Sequence, residues 1–153
     1  MNSLQKITCA GLLCLLVPAV FATQFTAVQS SDPYEDVVAN VKDAIIGRGL
    51  NISNVLPAGE MLNRTGHDLG YPDNVFTHAE TIEFCSAALS HQLVSINPNN
   101  MVLCPFTISI YQLTRDDQTV YVTYRTPDAG EDTRKVIEKV NALIKGIIEE
   151  AVE

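Results

Sequence analysis

MVLCPFTISIYQL (Met101–Leu113) and TVYVTYRT (Thr119–Thr126) are two long runs in which apolar and polar residues alternate, joined at Arg115-Asp116-Asp117-Gln118. A period of two sends successive side chains to opposite faces of a strand, so each run reads as a strand with one buried face. A polar link of four or five residues between such runs predicts an antiparallel hairpin. Upstream, Val75 to Cys85 reads as a strand, Ala87 to Val94 as a short helix and Asn97-Pro98-Asn99-Asn100 as a turn.

Working outward, Asp32-Pro33-Tyr34-Glu35 is a helix start, with Asp32 able to cap and Pro33 suited to the first helical position. Tyr34, Val37, Val38, Val41, Ala44 and Ile45 then recur at helical spacing, and Gly47-Arg48-Gly49 supplies a stop. Gln24 to Gln29 before this helix and Leu50 to Leu56 after it read as strands. Ala58 to Asn74 reads mainly as a surface loop, with a short helix at Gly59 to Leu62. At the other end, Glu131 to Val152 sets Val136, Ile137, Val140, Leu143, Ile144, Ile147, Ile148 and Ala151 along one helical face. Its terminal charges oppose the helix dipole, so packing must hold it. The order β-α-β, then β-α-β-β, then a closing helix predicts an α/β (α+β) two-layer sandwich. The expectation is a mixed sheet of about five strands, helices mainly on one face, and the other face open or used for dimerisation.

Residues 1–22 read as a cleavable signal peptide. Lys6 precedes an apolar run from Ile7 to Val17, and Val20-Phe21-Ala22 fits a peptidase site. The sixteen residues from Ile7 to Ala22 are short of the ~20 a membrane-spanning helix needs, and Pro18 lies inside them. The chain is therefore expected to be exported, periplasmic or secreted, and free of the membrane after cleavage. The expected division is a leader at 1–22, an α/β domain at 23–130 and a C-terminal amphipathic helix at 131–153 packed on it. The 153 residues carry 10 Lys and Arg against 18 Asp and Glu, a formal charge of −8. That balance argues against nucleic acid as a partner, because phosphates demand clustered cations.

Cleavage would leave two cysteines, Cys85 and Cys104. An even count in an exported chain points first to a disulfide, with buried free thiols and a redox-active or metal-binding pair as the alternatives. The disulfide reading sets the strands before and after the Ala87–Val94 helix as parallel neighbours joined by a right-handed crossover, which brings Cys104 near the level of Cys85. The spacing lacks the Cys-x-x-Cys of thiol redox and zinc sites. On the strand from Val75, the face Phe76, His78, Glu80, Ile82, Phe84 places an imidazole beside a carboxylate. Glu80 could orient His78 toward a ligand or a haem iron; the plainer reading is a polar pair on the open sheet face. Parity puts Cys85 on the face opposite His78 unless a bulge intervenes. His67 and His91 read as surface residues. No nucleophile motif or phosphate-binding glycine pattern is present, so no catalytic residue, metal site or resident cofactor is assigned.

At His78-Ala79-Glu80, Phe84-Cys85-Ser86-Ala87, Asn97-Pro98, Cys104-Pro105 and Tyr121 to Pro127, the sequence resembles a bacterial family catalogued as domain of unknown function 302. The likeness covers roughly Phe25 to Pro127 and stops short of the C-terminal helix. It implies a small α/β fold with the element order above and brings no reaction with it. The functional expectation is a non-catalytic ligand-binding or interaction module, with a homodimer through the open sheet face. The alternative is a redox or haem-associated protein using His78 and Glu80, or Cys85 and Cys104.

Overall fold

In the computed structural model, which describes residues 25–127 and 130–153, the chain begins with β1 (Phe25–Ser30), α1 (Tyr34–Gly47) and β2 (Asn51–Leu56). Next come α2 (Ala58–Gly66), a 310 turn (His67–Leu69), β3 (Phe76–Cys85), α3 (Ala87–Ile96) and a second 310 turn (Pro98–Leu103). The hairpin β4 (Phe106–Leu113) and β5 (Asp116–Arg125) and the helix α4 (Arg134–Val152) complete it. The leader expected over 1–22 lies outside the described residues.

The five strands form one open sheet in the order β1-β5-β4-β3-β2. The fold is the expected α+β sandwich, but every neighbouring pair is antiparallel, so the sheet is not mixed. The difference arises between β3 and β4. A parallel crossover must carry the chain back along the whole preceding strand. The 10 residues of α3 return only ~15 Å, whereas the 10 residues of β3 extend ~33 Å. The second 310 turn therefore delivers the chain to the end of β3 it has just left, and Phe106 pairs with Phe84.

Alternation then does what it predicts. Ile82 and Phe84 of β3, Phe106, Ile108 and Ile110 of β4, and Val120, Val122 and Tyr124 of β5 all point to one side and are buried. Against them lie the apolar stripes of α1 (Val37, Val41, Ala44, Ile45) and α4 (Val140, Ile144, Ile147, Ile148), with Leu93 of α3. Each such aliphatic side chain contributes about 1.5–3 kcal/mol by leaving water, which outweighs the absence of helpful charges in the first and last turns of α4. The Gly47-Arg48-Gly49 stop also ties the two helices together. Gly49 takes a positive φ of 70°. Arg48 donates to the Ala44 and Gly146 carbonyls, each at 2.9 Å, and pairs with Glu150.

Several local details depart from the sequence reading. Helix α1 starts at Tyr34 with no side-chain cap; the Asp32 amide instead donates to Ser30 Oγ at 3.1 Å. The hairpin turn is tighter than expected, because Leu113 pairs with Asp116 across a register shift. The segment after β2 is helical over Ala58–Gly66. This α2 runs beside the first half of β3, where β2 no longer pairs, and Asn63 donates to the Phe76 carbonyl at 3.1 Å.

Candidate functional site

Three places hold the residues singled out above: the margin of the helix layer, the start of β4, and the sheet face that α1 and α4 leave uncovered.

His78 and Glu80 share a face with Ile82 and Phe84, which is the helix-covered side and not the open one. The His78 ring stacks on Tyr34, with centroids 4.9 Å apart and planes 23° apart. Glu80 turns to α1, where the Lys42 ammonium approaches its Oε1 at 2.9 Å, off the line of a well-directed hydrogen bond. The pair that sequence joined as carboxylate and imidazole is thus divided between two α1 side chains. Burial, and then the Glu80 charge, raise the Tyr34 phenol above its ordinary range. His67 pairs loosely with Asp68 at 3.7 Å, both highly exposed, and His91 is exposed on α3. No cluster of three His, Cys, Asp or Glu side chains suited to a metal occurs among the described residues.

Cys85 closes β3 and Cys104 stands two residues before β4. The Phe84–Phe106 pairing sets them side by side through an antiparallel return, by a different route from the parallel crossover expected. Both are half-buried free thiols. Burial, and then the Cys104 thiol within hydrogen-bonding reach, push the Cys85 thiol up to about 11. Ser86 caps α3, its Oγ accepting from the Leu89 amide at 3.4 Å. A shallow hollow beside Cys104 is lined by Leu103, Pro105, Phe106, Thr107, Arg125 and Pro127.

The uncovered face is built in rows across the strands. Gln29, Tyr121, Tyr111 and Ala79 form one row; Ala27, Thr123, Ser109, Thr81 and Leu56 the next. Glu83 pairs with Thr107, and Arg125 follows two residues after Thr123 on the same side, opposite Phe25. Tyr111 and Tyr121 stack at 5.0 Å with planes 8° apart. Phe76 meets Tyr111 edge-on at 5.4 Å. Phe76 reaches this side because the pairing shifts between it and His78, so it does not share the His78 face as strict alternation predicted. Thr81 and Ser109 hydroxyls bond at 2.8 Å. The face is therefore neutral and small-featured at its centre, with exposed Phe25 (73%) and Leu56 (42%) at its two edges. Its rows carry one acid, Glu83, and one base, Arg125, with no ion-pair partner for either among the described residues.

One layer of helices on an open, wholly antiparallel sheet defines a small α+β domain whose unusual feature is the bare side of that sheet. The family model described as Domain of unknown function DUF302 matches residues 26–151, and the chain belongs to that family. The match takes in α4, which the short motifs did not reach. In three dimensions the chain is similar to the crystal structure of an uncharacterized conserved protein DUF302 from Bacillus stearothermophilus. The TM-score is 0.68 at 11% identity, covering 83% of this chain and 97% of that one, a likeness of fold alone. No curated protein matches the chain.

Proposed function

We propose that this DUF302 chain is an exported, non-catalytic interaction module, and that the uncovered sheet face takes a second copy of the chain. Support for export is the leader pattern of residues 1–22. Support for self-association is the composition and layout of the face.

Consider two copies stacked sheet to sheet and related by a half-turn about an axis running along β4 between them. That operation keeps each row over the same row and exchanges left for right, so β3 of one copy lies over β5 of the other. Ser109 then faces Ser109, Tyr111 faces Tyr111, and Thr81 faces Thr123. Glu83 of each copy falls opposite Arg125 of its partner, giving two symmetric ion pairs from groups that have none among the described residues. Stacked sheets sit ~10 Å apart, a gap that Glu and Arg side chains span together. An isologous contact demands this kind of self-complementarity. The small hydroxyl row permits close approach, and the aromatic row with Phe25 and Leu56 supplies the apolar area such interfaces need. The observation that carries the reading is the opposite-charge pair placed symmetrically about β4.

Size-exclusion chromatography with light scattering on the chain from Thr23 tests it. The expected mass is twice that of one chain, and Ser109→Arg, which sets a like charge against itself on the axis, should yield a single-chain mass with unchanged far-ultraviolet circular dichroism. A single-chain mass for the unaltered protein would overturn the proposal.

A further inference from the structure

Twenty residues leave the sheet at the end of β3 and return at the start of β4: Ser86, α3, Asn97, the second 310 turn, Cys104 and Pro105. This excursion is tied down in part by buried Leu93, by Asn100 donating to the Leu93 carbonyl at 2.9 Å, and by Lys139 of α4 donating to Gln92 at 3.0 Å. Its tip is apolar and exposed, with Met101 at 60% and Val102 at 81%. The two free thiols stand at its roots, one on each side.

We propose that Cys85 and Cys104 are a redox clasp, a dithiol that a small disulfide oxidant converts into an intramolecular bridge pinning the excursion to the sheet, with Cys104 attacking first and Cys85 resolving. The step is thiol–disulfide exchange. The Cys104 thiolate attacks one sulfur of the oxidant R–S–S–R and expels one thiolate, leaving a mixed disulfide on Cys104. The Cys85 sulfur, losing its proton, then attacks the Cys104 sulfur and expels the second. The dithiol loses two electrons and two protons, and the oxidant takes up both and leaves as two molecules of R–SH. The order follows from the surroundings. Cys85 holds its proton up to about pH 11, so few of its molecules are thiolate near neutrality, and only the thiolate attacks. Cys104 lies between Leu103 and Pro105, which line the hollow at the start of β4 together with Arg125, so a small anionic disulfide has its approach on the Cys104 side. The clasp goes beyond the self-association reading, because a single chain contains every group it needs.

Oxidised glutathione is the probe, added to the reduced chain from Thr23 and followed by intact mass and non-reducing peptide mapping. The expected product is lighter by two hydrogens, with one peptide joining Cys85 to Cys104. Amide hydrogen exchange over residues 86–105 should slow in that product relative to the reduced chain. Cys85→Ser should accumulate a stable glutathione adduct on Cys104, and Cys104→Ser should react at least about tenfold more slowly; Cys85→Ala and Cys104→Ala repeat the comparison if serine disturbs the fold. Failure to form the internal bridge, or unchanged exchange over 86–105 once it forms, would overturn the clasp. Faster reaction of Cys104→Ser than of Cys85→Ser would overturn the order of attack.

Discussion

Cys85 keeps its proton well past the point where a free thiol gives it up, first because burial disfavours the thiolate and then because the Cys104 thiol adds to the effect, pushing it up to about 11 from 9.0. The folded chain thus binds this proton more tightly than the unfolded chain. The stability that depends on it is complete below the unfolded value and is lost as pH rises through the folded one. The melting temperature of the reduced protein should therefore fall between about pH 9 and about pH 11. Tyr34, raised by its own burial, adds to the loss, so the contribution of Cys85 is the difference from Cys85→Ala, whose melting temperature should fall less over that window. Equal slopes for the two proteins would show that the folded surroundings do not hold the Cys85 proton. At this scale parity was a good guide. The bulge lies before His78, so counting from His78 to Cys85 sets them on opposite faces, as read. The partner of Glu80 is not legible from its strand, because Lys42 is 38 residues away in sequence and is brought to it by helix packing.

Among the elements, α2 was the hardest to see. Its glycines lower helix propensity, and only the folded arrangement explains one of them. A Cβ on Gly59 would stand 2.9 Å from the Ala79 amide nitrogen and 3.2 Å from its carbonyl oxygen. Both are backbone atoms of β3 that cannot swing away, so α2 would have to lift. Gly59→Ala should cost about 1–3 kcal/mol in urea unfolding. Gly47→Ala, where nothing lies within 4 Å of the added Cβ, should be near neutral. Similar losses at both positions would mean that α2 does not press on β3. The second 310 turn is masked by periodicity. Met101 to Leu103 extends the apolar alternation of β4, and periodicity alone does not tell an exposed turn from a buried strand end. By contrast, the stripes of α1 and α4 and the alternation of β4 and β5 were fully legible, since burial against a single layer selects the residues that make them.

For the whole molecule, five strands and one helix layer could be inferred by counting elements, and the open face followed from having helices for only one side. Strand order and sense could not be counted, because they depend on where the α3 excursion re-enters the sheet. The symmetric placement of Glu83 and Arg125 about β4 was hidden for the same reason: it exists only in the order β1-β5-β4-β3-β2. That placement is what turns a bare sheet into a surface matched to its own copy. Sedimentation equilibrium of charge-reversed variants reads it directly. Glu83→Arg and Arg125→Glu should each weaken self-association by roughly tenfold or more through like-charge contacts, and the double variant, with both signs exchanged, should return close to the original affinity. Single variants that associate as tightly as the original chain, or a double variant no better than the worse single one, would contradict face-to-face pairing across β4.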